Sequence, residues 1–193
     1  NLAAFCSFGK QQGDNAPVGE SAAFAYTTAL NTLLAKDSRQ KMHVGDATTV
    51  FWADKQTALE ESFGDFWEEP PKNNPDRLTN SVRALFKSVE SGAFIATEND
   101  IRFHVLGLAP NAARIAIRFW HTSTVPELAR HIRAYFEDLR IAHGARDQDD
   151  LSLWRLLVST AVQSKSENIN PNLAGQIMRA ILDGLPFPAA LLQ

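Results

Sequence analysis

Two short segments in the middle of the chain alternate strictly between apolar and polar residues. They cover residues 101–105 and 114–120, and each places apolar side chains at every second position. Gly107, Pro110 and Asn111 lie between them and are residues that favour turns. The alternation is the clearest β signal in the chain and predicts a hairpin whose strands are joined by a long loop.

A third segment, residues 41–53, is rich in β-branched and aromatic side chains, and Gly45-Asp46 indicates a turn or bulge within it. Strands near 41–53, 101–106 and 113–120 therefore predict a small antiparallel sheet. Helical patterns flank these strands on both sides, at 22–36, about 57–67, 76–91, 124–139, 151–162 and 170–184. Segregated helices and strands predict an α+β fold with a helical C-terminal part.

The sequence predicts the burial or the ends of several of these helices. The apolar stripe of the 22–36 helix is expected to pack on the domain core, and the 151–162 helix, apolar on most sides, is expected to be central and buried. Asp76 is a candidate N-cap residue for a helix that stops at Gly92. Thr124 and Glu127 have the spacing of a capping box, and Asn170-Pro171 begins the last helix.

We expect one continuous unit, cut from a longer protein. Its parts are a polar lead-in (1–21), a mixed helix and sheet region (22–123) and a helical part packed on it (124–193). The chain begins at Asn1 without a methionine and stops at Gln193 within a helical pattern. The single cysteine, Cys6, fits a reducing cytoplasm, and no apolar run reaches the ~18 residues that would span a bilayer.

Charge is unevenly distributed along the chain. Residues 54–100 hold ten acids and five bases, for −5, whereas residues 101–146 hold seven arginines and three acids, for +4. One interpretation is a pair of complementary faces within one fold. The other is that the arginine-rich region faces a polyanion, because guanidinium groups bind phosphate bidentately.

The alternation places the candidate binding residues on one face of the hairpin. Arg102 and His104 share that face with Arg114, Arg118 and Trp120, and the indole can stack on an unpaired base. The opposite, core-facing set is expected to comprise Ile101, Phe103, Val105, Ile115, Ile117 and Phe119. The next helix carries a second basic stripe. The five best candidates for nucleic-acid contact are Arg102, Arg114, Arg118, Arg130 and Arg133.

Signatures of catalysis are missing from the sequence. There is no phosphate-binding glycine loop, no paired-cysteine metal site and no nucleophile elbow, so we expect no enzyme activity, no cofactor and no metal. A metal-dependent nuclease remains an alternative, in which Asp46, Asp54 and Asp100 converge beside His104. Trp52, Trp67 and Trp154 are expected in the core, and His104 is expected to be a hydrogen-bonded sheet residue.

Several blocks of the sequence resemble the large subunit of type I-C CRISPR surveillance (Cascade) complexes. The blocks occur in order along the chain, at 19–31, 44–53, 106–120 and 172–182, and the second reads Val-Gly-Asp-Ala-Thr-Thr-Val-Phe-Trp-Ala. Members of that family are about three times as long, so the resemblance implies that this chain is a middle fragment. No site residues of the family are carried over, and the arginines rest on alternation alone.

The resemblance implies a non-catalytic, cytoplasmic scaffold for antiviral defence. Its partners would be the other Cascade subunits with their guide RNA, the target DNA with its displaced strand, and a recruited helicase–nuclease, with no membrane involved. Base pairing with the guide would read the target sequence and a separate nuclease would cut it. The alternative is a purely structural module that connects subunits and touches no nucleic acid.

Overall fold

The computed structural model describes residues 9, 14, 18–112, 114–140 and 149–192 and shows an α+β fold. Four antiparallel strands form one sheet in the order β1-β2-β3-β4. They are β1 (Lys41–Val44), β2 (Ala47–Ala53), β3 (Arg102–Asn111) and β4 (Arg114–Thr124). The segment predicted as one strand at 41–53 is thus two strands, and they meet at Gly45-Asp46, where φ of Gly45 is +60°.

Seven α-helices accompany the sheet in the part of the chain that is described. Their bounds are α1 (Glu20–Leu34), α2 (Ala58–Ser62), α3 (Arg77–Glu90), α4 (Ala93–Glu98), α5 (Val125–Asp138), α6 (Leu153–Thr160) and α7 (Pro171–Asp183). Short 3₁₀ helices cover Phe63–Phe66, Val162–Ser164, Ser166–Asn168 and Ala189–Leu192. None of the described helices is both long and apolar enough to cross a membrane.

The chain forms two compact units, residues 1–38 and 39–193. The first contains α1, and most of the predicted polar lead-in, including Cys6, lies outside the described residues. The apolar stripe of α1 was expected to pack on the domain core, and no residue of this helix is buried. Phe24 and Tyr26 are the large exposed side chains of the helix. The second unit contains the sheet and the other six helices.

The β3–β4 hairpin is longer and tighter than predicted. Asn111 pairs with Arg114, so the turn has only two residues, and Ala112 in it has a φ of +51°. Gly107 and Pro110, predicted as loop residues, lie inside β3. A Cβ at Gly107 would come within 2.5 Å of the Phe119 ring on the opposing strand, so a larger residue there would force this ring to shift.

A β-bulge interrupts the hairpin. Gly107 pairs with Phe119, but the next residue of β3, Leu108, pairs with Ile117, so Arg118 is the extra residue on β4. Because side chains alternate along a strand, one extra residue exchanges the two faces for every position beyond it. Ile115 and Ile117, predicted to face the core, are instead 65% and 61% exposed.

The core lies between the inner face of the sheet and the helices. Phe51 and Phe103 from the sheet pack against Phe63, with ring centroids 4.7 Å and 4.8 Å apart. Helices α3, α5 and α7 close this core with buried aliphatic and aromatic side chains. These include Leu78, Val82, Leu85, Leu128, Ile132, Phe136, Ile177, Met178 and Ile181.

Helix boundaries agree with the capping signals in part. Asn170 caps α7 as predicted, because its side chain accepts hydrogen bonds from the first-turn amides, and the helix ends at Gly184. Helix α3 ends at Glu90, beside Gly92 as expected, but the Asp76 side chain makes no cap hydrogen bond. The Thr124 hydroxyl makes none either. The hydroxyl that engages Glu127 comes from Ser123, at 2.7 Å.

Helix α6 is shorter and more exposed than expected for a central helix. It spans Leu153–Thr160, and Trp154, which was predicted to be in the core, is 37% exposed. Ser152 caps it by accepting a hydrogen bond from the amide of Arg155. Trp67 is fully buried, as predicted.

Candidate nucleic-acid interface

The outer face of the sheet, opposite the helices, carries an aromatic cluster. On this face Trp52 pairs with His104, and His104 pairs with Thr122 across the β3–β4 interface. Trp120, two residues from Thr122 and on the same face, is 59% exposed. We call Trp52, His104, Trp120 and Thr122 the aromatic patch.

Contacts inside the aromatic patch fix the orientation of its rings. The rings of Trp52 and His104 stack with centroids 5.0 Å apart, and Trp120 meets Trp52 edge-on at 6.4 Å. The Trp120 indole N–H donates to the Thr122 hydroxyl oxygen, Nε1 to Oγ1 3.3 Å. Both rings are thus held by contacts to their neighbours while Trp120 keeps 59% of its surface exposed, and an exposed indole held in this way is able to stack on a base.

His104 is hydrogen-bonded on both sides, as the sequence led us to expect. Its Nε2 lies 3.2 Å from an Asp54 carboxylate oxygen and its Nδ1 lies 3.0 Å from the Thr122 hydroxyl. These two bonds hold the imidazole plane against Trp52. His104 therefore positions the neighbouring indole.

Arg102 is the candidate arginine that accompanies this patch. It pairs with Thr124, two positions from His104 and therefore on the same face, about 7 Å further along the strand. Its side chain is exposed, and no described carboxylate forms an ion pair with it. Trp120 pairs with Leu106, so the exposed Arg102 and the exposed Trp120 share a face but lie four residues, roughly 13 Å, apart along the strand. A guanidinium can bind a phosphate and an indole can stack on a base.

The bulge separates Arg114 and Arg118 from this patch, so the predicted single arginine face is wrong. Arg114 pairs with Asn111 at the tip of the hairpin, nine residues from Arg102 along β3 and roughly 30 Å away. The Arg118 guanidinium forms an ion pair with Asp46 in the β1–β2 turn. The Arg118 guanidinium is thus occupied, whereas Arg114 is exposed and has no ion-pair partner among the described residues.

The two candidates on α5 belong to the helical layer and differ from each other. Arg133 binds two carboxylates, Glu137 at 2.8 Å and Glu90 at 3.4 Å, and its guanidinium lies 5.0 Å from the centre of the Phe86 ring. Arg130 is exposed and, within the described ranges, forms no ion pair. The pKa of Glu127 is lowered, chiefly by its hydrogen bond from Ser123 and further by the charges of His131 and Arg130.

The three acids of the nuclease hypothesis do not converge. Asp46 and Asp54 lie at opposite ends of β2, eight residues or roughly 26 Å apart, and each is already engaged by a different basic side chain. Asp100 follows α4 and is exposed. Within the described residues no group of three potential metal ligands exists.

Sequence reasoning missed Trp52, which was predicted to be in the core. The apolar run at 50–53 does not alternate, so it gave no signal of its own; in the structure Phe51 is buried on the inner face and its neighbour Trp52 points outward. Trp52 is only partly buried and contacts both other rings of the aromatic patch.

Comparison with known proteins places this α+β chain in a family. A family model described as CRISPR-associated protein (Cas_Csd1) matches residues 1–193, and the chain belongs to that family. No match was found among curated proteins. Membership agrees with a CRISPR-associated role for the chain.

Proposed function

We propose that the chain is a non-catalytic segment of the large subunit of a type I-C CRISPR surveillance complex. In this role it binds target DNA and the displaced strand, alongside the other subunits and their guide RNA. The four sequence blocks between residues 19 and 182 support the subtype, and the family supports the CRISPR-associated role. A separate helicase–nuclease would be recruited to cut the target.

One observation carries the proposed DNA contact. The exposed Trp120 indole and the exposed, unpaired Arg102 lie on the same face of the sheet, within the described structure. Stacking on an aromatic side chain tolerates any base, and an arginine contributes phosphate binding that depends on salt. Both properties suit a surface that holds DNA whose sequence is read by a guide RNA.

The test is DNA binding by the complete complex carrying Trp120→Ala and Arg102→Ala together. Loss of one stacked base costs about 1–3 kcal/mol, which corresponds to a roughly fivefold to hundredfold weaker Kd. Loss of one phosphate contact lowers the log–log salt slope by about one unit, equally for all target sequences.

The matched control is Lys87→Ala, which removes one exposed positive charge from the last turn of α3, in the helical layer. This control is expected to leave affinity and salt slope unchanged. If the double variant assembles normally and also leaves both unchanged, the outer face does not contact DNA.

A purely connecting module is the second candidate function. The observation that favours it is the exposure of Ile115 and Ile117, because adjacent exposed aliphatic side chains on a sheet are typical of protein interfaces. The two functions use different parts of the hairpin, and a purely connecting module touches no nucleic acid, so unchanged DNA binding by the double variant would favour it.

A further inference from the structure

The outer edge of β4 is protected along one half and open along the other. β4 is a terminal strand of the sheet, and in the described chain no strand lies beyond it. Arg179 of α7 donates to the backbone carbonyl of Arg118, at 3.1 Å, and Asp183 of α7 lies 2.8 Å from the His121 ring nitrogen. Helix α7 therefore packs against β4 at 118–121, and its Arg179 occupies one backbone carbonyl there.

The first four residues of β4, Arg114–Ile117, make no such contact with a described residue. Their side chains are exposed except for half-buried Ala116, and no described group bonds to their outer edge. Terminal strands are normally blunted by a bulge, a charge or a covering element, because a free edge pairs with other chains. Here the bulge at Arg118 and the α7 contacts stop where the exposed stretch begins.

The hairpin geometry decides which backbone groups are free. In a two-residue turn the flanking residues, Asn111 and Arg114, are the hydrogen-bonded pair, and hydrogen-bonded and non-bonded pairs alternate from there. Ala116 is the next residue to bond to β3. The N–H and C=O groups of Ile115 and Ile117 therefore point away from the sheet, and their side chains face outward beside the aromatic patch.

We propose that Arg114–Ile117 is a strand-pairing edge for an extended segment of another subunit of the complex, with a carboxylate opposite Arg114. An unpaired edge selects an extended backbone, which adds to the sheet as a further strand. Arg114, without an ion-pair partner in the described ranges, selects an acidic neighbour across the new pair. The proposal rests on the proposed membership of a complex and not on the proposed DNA contact.

The length of the edge favours a tethered segment over a second copy of this chain. Four residues bury far less than the roughly 800 Å² per partner of a stable interface. A segment of a subunit already held in the complex needs no such area, because tethering raises its effective concentration. In a symmetric pair centred on Ala116, moreover, Arg114 would lie opposite Arg118 of the other copy, and like charges directly opposite are unfavourable.

The discriminating variant is Ile115→Pro. Proline removes the outward N–H of Ile115 but spares the bonds between β3 and β4, which use Arg114 and Ala116. Incorporation of the chain into a complex reconstituted from all its subunits is expected to weaken about tenfold, the result of one lost backbone bond and one carbonyl left unpaired. Ile115→Thr, which keeps the N–H and a β-branched side chain, is the matched control and should incorporate like the unmodified chain.

Three results would overturn the strand-pairing proposal. These are unchanged incorporation of Ile115→Pro, an equal loss for Ile115→Thr, and a loss of DNA affinity in Ile115→Pro complexes that assemble normally. Should Ile115→Pro unfold, hydrogen exchange of the unmodified chain decides. The amides of Ile115 and Ile117 should exchange at least tenfold more slowly in the complex than in the isolated chain, and equal rates overturn the proposal.

A charge-reversal variant tests the acidic partner. Arg114→Glu is expected to lower incorporation more than Arg114→Gln does, with the difference shrinking as salt is added, because an exposed charge pair is screened. Equal incorporation of the two variants would contradict the proposal that a carboxylate lies opposite Arg114. If Trp120→Ala did not affect DNA binding, the expected assembly results would be unchanged. The proposed DNA contact and the proposed strand pairing can therefore be refuted independently.

Discussion

The two faces of the same sheet differ in what their aromatic side chains contact. On the inner face, Phe51 and Phe103 are completely buried and packed against the ring of Phe63. On the outer face, Trp120 keeps more than half of its surface exposed although its ring is held by Trp52 and Thr122. The inner rings stabilise the fold through burial, whereas the outer rings are ordered without being buried. An exposed ring that is held in place is available to a partner.

The largest difference in the free energy of unfolding is expected between Phe103→Ala and Trp120→Ala in the isolated chain. Phe103→Ala removes a fully buried ring and should lower the free energy of unfolding by about 3–5 kcal/mol. Trp120→Ala removes a largely exposed ring and should cost less than about 1 kcal/mol. Denaturant unfolding of both variants measures the difference. Equal losses would mean that the outer face is a second core.

A loss of stability of intermediate size is expected for a substitution beside the β-bulge, which sets the faces of the hairpin. Gly107→Ala places a methyl group against the Phe119 ring and should destabilise the chain by about 1–3 kcal/mol through overpacking. Gly175→Ala is the matched control, because a Cβ at this position in α7 meets nothing within 4 Å. This control should be stabilising by roughly 0.5–1 kcal/mol, as alanine is favoured over glycine inside a helix. A neutral Gly107→Ala would show that the Phe119 ring moves aside freely.

The smallest loss of stability is expected for a substitution of Ser123, at the junction between β4 and α5. The hydrogen bond from Ser123 lowers the pKa of Glu127 in the folded chain, so this pair stabilises the fold at neutral pH. That contribution is lost as the pH falls below 4.5, the ordinary value, through the folded-state pKa. Ser123→Ala should cost less than about 1 kcal/mol at pH 7, because Glu127 is exposed to solvent, and nothing once the carboxyl is protonated.

Carboxyl NMR titration of Glu127 together with unfolding at pH 7 and at acid pH measures this effect. A Glu127 pKa that is unchanged in Ser123→Ala would contradict the assigned hydrogen bond. The variant also leaves the aromatic patch intact, so DNA binding by the complex should be unaffected.

Local residue chemistry determined much of the fold. Alternation at 101–105 and 114–120 predicted the hairpin, β-branched content at 41–53 predicted the strands beside it, and Asn170-Pro171 and Gly184 predicted both ends of α7. These features depend on neighbours within a few residues, which the sequence shows directly. The Trp120 side chain was assigned to the correct face for the same reason.

Only the tertiary structure decided which arginines share a surface. A bulge arises from pairing two strands with unequal residue counts, so neither strand shows it alone. Here Arg118 is the extra residue, and the Phe119 ring lies against Gly107 on the opposing strand. That one residue exchanged the faces of Ile115 and Ile117 and left Arg102 with the aromatic patch. The sequence by itself specified the helices and strands and their periodicity. Long-range pairing set the strand register, because the free energy that favours one register comes from contacts between segments distant in the chain.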